Sequence, residues 1–205
     1  MSLDEQLLRF LDHHQNRAAN DFVVLVMQLG SNKLLACVAV IGLAVVVRQG
    51  WYRPAVAVAV AVPVATMAAN LLKEVFDRAR PPIELALLHA NGPSMPSTEA
   101  ARTSAAAMAL LLAVRWSGPR TRRLAATALG LGLLTVGLSM VYLGAHWATD
   151  VLAGWALGLT VGALVAAASR VAFDRLRPDP GPTVTPGAAV TPEPAVTPEP
   201  TATAG

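Results

Sequence analysis

The sequence carries little charge. Charged residues make up only 14% of its 205 residues, whereas hydrophobic residues make up 54%. A soluble domain has about 25% charged residues, so this chain offers too little polar surface to keep a folded domain in solution. Several apolar stretches approach the roughly 20 residues that cross a bilayer as an α-helix. The composition therefore predicts an integral membrane protein.

Cysteine is nearly absent, and so are the patterns that bind nucleic acid or metal. Cys37 is the single cysteine, which excludes a disulfide within the chain. No basic face with interleaved aromatic residues occurs, so we expect no nucleic acid partner. The N-terminus lacks a basic region and a small-residue cleavage site, so no cleaved signal peptide is predicted. The histidines form no metal-ligand cluster with the acidic residues, so we expect no metal and no cofactor; they are His13, His14, His89 and His146.

The apolar stretches predict an all-α fold, a polytopic transmembrane bundle of about five to six membrane helices. Its predicted divisions are an N-terminal amphipathic or interfacial helix over 1–30, a transmembrane core over 31–177 and a tail over 178–205. The tail is rich in proline and threonine and cannot bury a core, so we expect it to be disordered. The clear spans cover about residues 34–47, 54–72, 100–116, 124–143 and 147–171.

Three further segments have a distinctive pattern. Residues 3–29 form a predicted amphipathic helix that runs into an apolar piece too short to span, so it is expected at the membrane interface or as a re-entrant segment. Residues 73–95 are polar and rich in proline, which predicts a loop. In the last span, glycine recurs every four residues, a spacing that lets membrane helices approach closely. These glycines are Gly154, Gly158 and Gly162.

Arginine is unevenly distributed among the connections between spans. Short cytoplasmic connections carry an excess of Arg and Lys, and with five spans the arginine-rich segments all fall on one side. That side, together with the tail, is therefore predicted to be cytoplasmic, and the segments at Lys73, Ser97 and His146 share the extracytoplasmic side. The arginines on the predicted cytoplasmic side are Arg48, Arg53, Arg115, Arg120, Arg122, Arg123, Arg170, Arg175 and Arg177.

Four cations on the opposite side run against this charge rule. Ionisable groups at membrane depth are functional candidates by default, although these four can also simply pair with neighbouring acidic residues. The cations are Lys73, Arg78, Arg80 and Arg102, and the acidic residues are Glu74, Asp77, Glu84 and Glu99.

Two segments carry residues suited to binding a phosphate. Lys73 and Arg80 lie in the segment KEVFDRARP. A lysine ammonium offers a point charge, and an arginine offers a planar fork that matches phosphate oxygens. Ser97 can donate its hydroxyl proton and opens a predicted helix, whose free N–H groups favour an anion.

A third segment carries a histidine and a carboxylate. His146 and Asp150 are four residues apart, so on a helix both point to one face. An aspartate bonded to one imidazole nitrogen fixes the tautomer and leaves the other nitrogen free to attack. Such a pair alone is often structural, and its meaning here comes from its combination with the phosphate-binding residues.

Together these segments resemble the signature of the type-2 phosphatidic acid phosphatase and haloperoxidase superfamily, which reads Lys-x6-Arg-Pro, then Pro-Ser-Gly-His, then Ser-Arg-x5-His-x3-Asp. The resemblance implies that His146 is a nucleophile that forms a phosphohistidine and that Asp150 orients it. Lys73, Arg80 and Ser97 would hold the phosphate. The resemblance also implies metal-independent chemistry on a lipid phosphate.

Three positions depart from the family pattern, which the chain matches from about residue 54 to 165. Glu99 stands where the family has the histidine that protonates the leaving group, and a carboxyl that keeps its proton can act as a general acid. Thr98 replaces a glycine beside the anion-binding turn. Met140 replaces a phosphate-binding arginine and supplies no charge. Arg102, one helical turn after Glu99, can either replace that missing cation or pair with Glu99.

The sequence therefore supports two functions. The first is a membrane phosphatase that hydrolyses a lipid-linked phosphomonoester or diphosphate, such as a phosphatidate-like, phosphatidylglycerophosphate-like or polyprenyl phosphate, at the outer leaflet. The second is a catalytically weakened relative that binds lipid phosphates without turnover, which the loss of two polar family residues favours. Retention of the histidine–aspartate pair and the phosphate-binding residues favours the phosphatase. A haloperoxidase is disfavoured, because those enzymes are soluble and bind vanadate.

Overall fold

A computed structural model describes residues 2–29, 48, 52–88 and 91–176 of the chain. The predicted span over 34–47 and the predicted tail over 178–205 lie outside these residues. The described part is helical and contains no strand, which confirms the all-α fold. Its helices are α1 (Leu3–His13), α2 (Arg17–Leu29), α3 (Tyr52–Phe76), α4 (Thr98–Ala113), α5 (Pro119–Tyr142) and α6 (Ala148–Arg175), with a short 3-10 helix at Ile83–Leu85.

Three of the described helices are long and apolar enough to cross a membrane. These are α3, α5 and α6, with 25, 24 and 28 residues and mean hydropathies of 2.1, 2.0 and 2.0. Large side chains such as Leu131 and Leu164 are exposed on their outer faces, where a bilayer would cover them. The predicted span over 100–116 corresponds to α4, which ends earlier, at Ala113, because the backbone of Val114 is extended.

The interior of the bundle is built from alanine and glycine. Helix α4 packs mainly against α6 and α3. Side chains this small allow the helix backbones to come close, as is typical of membrane bundles. On the α3 side the contact is made by Ala57, Ala61 and Ala65 of α3 and Ala105, Ala109 and Ala113 of α4.

The glycine stripe of α6 lies against α4, which confirms the predicted close approach. A β-carbon on Gly154 would lie 2.5 Å from the carbonyl oxygen of Ser97. One on Gly158 would lie 2.1 Å from the carbonyl oxygen of Ala101. The stripe therefore sets the first turns of α4 and α6 side by side.

Replacing Gly158 with alanine is expected to destabilise the bundle. The added β-carbon would meet both the Ala101 carbonyl and the Ser104 hydroxyl at 2.1 Å, and overpacking of this kind costs roughly 1–3 kcal/mol. Gly130→Ala on α5 is the matched control, because no atom lies within 4 Å of the place that its β-carbon would take. Thermal unfolding in detergent should show a lower Tm for Gly158→Ala alone, and equal Tm values would contradict the packing.

The N-terminal segment differs from the sequence prediction of one helix over 3–29. It forms two helices, α1 and α2, which are separated because Asn16 caps the second: its side chain accepts a hydrogen bond from the backbone N–H of Ala19 at 2.9 Å. Both helices lie against the bundle. Leu8 of α1 is buried against Met140 and Val141 of α5 and the start of α6. Whether this segment is interfacial or re-entrant stays a prediction.

The prediction of a loop over 73–95 is also wrong at both its start and its middle. Helix α3 continues to Phe76, so Lys73 lies in the last turn of a helix. The helix stops where Asp77 adopts a positive φ of 38°, a conformation that breaks the helical hydrogen-bond pattern. The 3-10 helix at Ile83–Leu85 then gives the following segment a turn of its own.

Candidate active site

The structure brings the three motif segments together at one end of the bundle, where α3 and α5 end and α4 and α6 begin. The backbone N–H of Ser97 donates to the carbonyl of Asp150 at 2.9 Å, which joins the second and third segments. Arg80 Nη1 donates to the carbonyl of Ala145 at 2.6 Å, which joins the first and third. The site is therefore assembled from four helix ends.

The two cations of the first segment are held by backbone carbonyls. Lys73 Nζ donates to the carbonyl of Pro93 at 3.0 Å, and Arg80 Nε donates to the carbonyl of Gly92 at 3.0 Å. Burial lowers the pKa of the Arg80 guanidinium, and the charge of Asp150 opposes that effect only in part. Because neutral carbonyls do not cancel the positive charges, both cations keep their attraction for an anion.

The second segment places a buried hydroxyl at a helix start. Ser97 is fully buried and is the N-cap of α4; its hydroxyl accepts from the Ala100 N–H at 3.4 Å. The same hydroxyl lies 3.5 Å from the sulfur of Met140. The first N–H groups of a helix lack intrahelical partners and favour an anion, so the start of α4 is suited to phosphate oxygens.

A tight turn between α5 and α6 presents the histidine. Gly144 in this turn has φ of 67°, and a β-carbon there would lie 2.5 Å from the carbonyl oxygen of Leu85, so both conformation and space require glycine. His146 follows, 6% exposed. Its Nε2 lies 3.4 Å from Arg80 Nη1, which puts the cation beside one nitrogen of the imidazole ring.

Asp150 approaches the other nitrogen of the ring. Its Oδ2 lies 3.4 Å from His146 Nδ1, but the geometry falls short of a hydrogen bond, and Nδ1 has no hydrogen-bond partner among the described residues. Asp150 is wholly buried. Its Oδ2 accepts from the Trp147 N–H at 3.0 Å and its Oδ1 from Arg78 Nη1 at 2.7 Å. The carboxylate is thus fixed, and a small movement of the ring would complete the pair.

The departures from the family pattern have defined surroundings. Glu99 forms a close ion pair with Arg102, which is one of the two alternatives for that arginine. The Thr98 hydroxyl donates to Asn70 Oδ1 of α3 at 3.2 Å. Met140 is 3% exposed and fills the space beside Ser97. No described contact links Thr98 or Arg102 to His146.

Two residues that the sequence did not assign to the site contact Asp150 directly or through one neighbour. Arg78 pairs with Asp150 and with Asp4 of α1, at 2.7 and 2.8 Å. Of the acidic neighbours proposed as simple partners of the outer cations, only Glu99 forms an ion pair with one of those cations in the described part of the chain. Arg78 lies two residues before Arg80, a hint available from the sequence, whereas nothing local marks Asp4.

Comparison with known proteins identifies the family. The sequence model of the PAP2 superfamily matches residues 54–174. This range includes every candidate site residue predicted from the sequence. The match covers more than half of the chain, so this protein belongs to the PAP2 superfamily. No curated protein sequence matches it.

Two solved structures share its fold. One is a transmembrane PAP2-type phosphatidylglycerolphosphate phosphatase from Bacillus subtilis, with a TM-score of 0.70, 24% identity, and coverage of 85% of this chain and 87% of that one. The other is Aquifex aeolicus LpxE, with a TM-score of 0.64, 21% identity, and coverage of 82% and 96%. With its apolar helices, the chain is an integral membrane protein of the PAP2 fold.

Proposed function

We propose that this protein is a membrane phosphatase that releases inorganic phosphate from a lipid phosphomonoester or diphosphate through a phosphohistidine. One observation carries the proposal: His146 Nε2 lies beside the Arg80 guanidinium, 3.4 Å away, while Asp150 stands 3.4 Å from the opposite ring nitrogen. A nucleophile, its orienting carboxylate and a cation for the phosphate thus occupy one place. The substrate classes are phosphatidate-like, phosphatidylglycerophosphate-like and polyprenyl phosphates.

In the first step, the Nε2 lone pair of His146 attacks phosphorus. After a small movement of the ring, Asp150 accepts a hydrogen bond from Nδ1–H, which fixes the tautomer and stabilises the positive charge that develops on the ring. The bond between phosphorus and the leaving oxygen breaks, and its electron pair leaves with that oxygen, which takes a proton from Glu99. In a monoester this oxygen belongs to the lipid alcohol, and in a diphosphate it belongs to the lipid monophosphate. Lys73, Arg80 and the start of α4 stabilise the charge on the phosphoryl oxygens, which is the main catalytic contribution in phosphoryl transfer.

In the second step, water attacks the phosphohistidine. The N–P bond breaks and returns its electron pair to Nε2 of His146. The proton of the water passes to the Glu99 carboxylate, which gave its own proton to the leaving oxygen in the first step. A phosphomonoester gives inorganic phosphate and a lipid alcohol, and a diphosphate gives inorganic phosphate and a lipid monophosphate. The enzyme returns to its starting state without a metal in this scheme.

Glu99 is the proposed proton donor, and it forms an ion pair with Arg102. A carboxyl that donates a proton cannot at the same moment be the anion of that pair, so the two side chains must separate before the transfer. A substrate dianion competes with Glu99 for Arg102. In the proposed scheme the bound phosphate therefore attracts Arg102 as a second arginine and leaves Glu99 to act as the general acid.

Glu99→Gln is expected to lower kcat for the hydrolysis of lipid alkyl phosphates by roughly 10²–10⁴-fold, which is the usual contribution of a general acid. An aryl phosphate with a good leaving group needs no proton, so its hydrolysis should fall much less. The measurement is kcat on a lipid alkyl phosphate and on an aryl phosphate, for the wild type and the variant. An equal loss on both substrates would show that Glu99 only pairs with Arg102.

The proposed site faces the extracytoplasmic side of the membrane. The arginines at residues 115, 120, 122 and 123 follow α4 or begin α5, at the end of the bundle away from His146. Since such arginine-rich connections are retained in the cytoplasm, the opposite end would contact the outer leaflet. We also propose that the chain divides into an N-terminal amphipathic or interfacial helix (residues 1–30), a transmembrane core (residues 31–177) and a disordered tail (residues 178–205).

A further inference from the structure

Helix α6 carries Asp150, and part of the cap at its start comes from another helix. Its N-cap residue is Trp147, which makes no side-chain hydrogen bond to the helix. Within α6, Asp150 Oδ2 accepts from the backbone N–H of Trp147 at 3.0 Å. The free N–H of Thr149 is capped from α1. Asp4 Oδ1 accepts from the backbone N–H of Thr149 at 3.2 Å, and Asp4 Oδ2 accepts from the Thr149 hydroxyl at 2.5 Å. A carboxylate at a helix start satisfies a free N–H group and complements the helix dipole.

The same carboxylate holds Arg78 against the site. Asp4 Oδ2 accepts from Arg78 Nη2 at 2.8 Å, and Arg78 Nη1 donates to Asp150 Oδ1 at 2.7 Å. The guanidinium also lies 5.5 Å from the centre of the Trp147 ring. Arg78 therefore binds Asp150 of α6 through one nitrogen and Asp4 of α1 through the other. The position of Asp150 thus depends on the position of α1.

Burial and hydrogen bonds hold the Asp4 carboxylate in place. Its side chain is 8% exposed. Burial acts to raise the pKa of the Asp4 carboxyl, but the hydrogen bonds from Thr149 and Arg78 outweigh it and the pKa lies below its ordinary value. Leu8, one turn further along α1, is 2% exposed and packs into the bundle, so an apolar contact secures the helix that carries the carboxylate.

We infer that Asp4 is a positioning residue for the reaction: by capping α6 and holding Arg78, it keeps Asp150 where that carboxylate orients His146. The N-terminal helix is then a brace of the catalytic pair. This inference rests on the proposed function, and it assigns Asp4 no contact with the substrate.

Asp4→Ala is expected to lower kcat by roughly 10²-fold, the effect of a misplacement of about 1 Å in a catalytic group. KM should stay within a few-fold, because the phosphate-binding residues are untouched. Asp4→Asn keeps a cap oxygen for Thr149 but loses the charge that attracts Arg78, so its kcat should lie between those of wild type and Asp4→Ala. Glu5→Ala is the matched control, since Glu5 pairs with Arg9 on the outer side of α1 at 3.1 Å.

A second readout does not depend on turnover. In full-length protein labelled with ¹⁵N-histidine, the His146 ring resonances are identified by their loss in His146→Ala. They should shift in Asp4→Ala and Asp4→Asn and stay in place in Glu5→Ala. If Asp4→Ala does not fold, Asp4→Asn carries both measurements.

The outcomes separate this inference from the proposed function. If the wild type hydrolyses no phosphate ester, the proposed phosphatase activity is overturned. The His146 ring resonances then still test whether Asp4 positions the site. An active wild type whose Asp4 variants match Glu5→Ala in kcat and in the His146 resonances overturns the brace alone. A raised KM with unchanged kcat also overturns it, because it would place Asp4 in substrate binding.

Discussion

His146→Ala is expected to lower kcat on a lipid phosphate by roughly 10⁶-fold, the scale seen when an enzyme loses its nucleophile. In the proposed scheme no other side chain takes over the attack on phosphorus, so the first step has no substitute. KM should change little, since Lys73, Arg80 and Ser97 remain. The measurement is phosphate release in detergent micelles over a range of substrate concentrations.

The matched control for that variant is His13→Ala. His13 lies in the last turn of α1 and is exposed, so its loss should leave kcat unchanged. His13→Ala should keep the Tm of the wild type. His146→Ala removes a ring that is 6% exposed and lies 3.4 Å from Arg80 Nη1, so its Tm is measured first to show that the variant is folded. Appreciable activity in a folded His146→Ala protein would assign the nucleophile to another residue.

Asp150→Asn is expected to lower kcat by roughly 10⁴-fold, the effect of presenting a histidine with the wrong hydrogen-bond partner. An asparagine amide at this place can donate to Nδ1 and so favours the tautomer whose proton sits on Nε2, where the attack must occur. Among the described residues, it also leaves Arg78 with Asp4 as its one carboxylate partner. The check is kcat and the His146 tautomer in ¹⁵N spectra.

Asp174→Asn tests whether the loss is specific. Asp174 lies on the same helix at the opposite end and makes a long ion pair with Arg53, at 3.9 Å. Its side chain is 65% exposed, so the pair contributes little. A large fall in kcat for Asp174→Asn as well would mean that damage to α6, rather than loss of the orienting carboxylate, explains the first result.

Met140 occupies the position at which the family has a phosphate-binding arginine. Met140 is buried, and its sulfur lies 3.5 Å from the Ser97 hydroxyl. A thioether is a weak acceptor and carries no charge. The proposed scheme therefore needs Arg102 to supply the second cation, and Arg102→Ala should weaken phosphate binding if it does.

Parts of this site could be predicted from the sequence because their pattern is local or their spacing is shared with a family. The segment from Lys73 to Arg80 and the pair His146 and Asp150 are of this kind, and the glycine stripe of α6 was predicted from its period alone. For Arg102, the three-residue spacing from Glu99 allowed an ion pair, and the structure contains it.

Other parts depend on contacts that no local pattern encodes. Asp4 and Thr149 are 145 residues apart, and neither the polarity of α1 nor the start of α6 indicates that they meet. The break between α1 and α2 depends on the Asn16 cap, which the apolar period of the segment masks. The end of α3 depends on the backbone of Asp77, which composition does not reveal.

The central claim is that His146 carries the phosphoryl group, and one trapping measurement tests it most directly. The purified protein is mixed briefly with a lipid phosphate labelled with ³²P, denatured in alkali and separated from the substrate. We expect label on the wild type that is stable in alkali and lost in acid, as a phosphohistidine is, and no label on His146→Ala. The claim is contradicted by label that persists in His146→Ala. It is equally contradicted if the wild type takes up no label and releases no phosphate while the variant Thr98→Gly, Glu99→His, Met140→Arg does both.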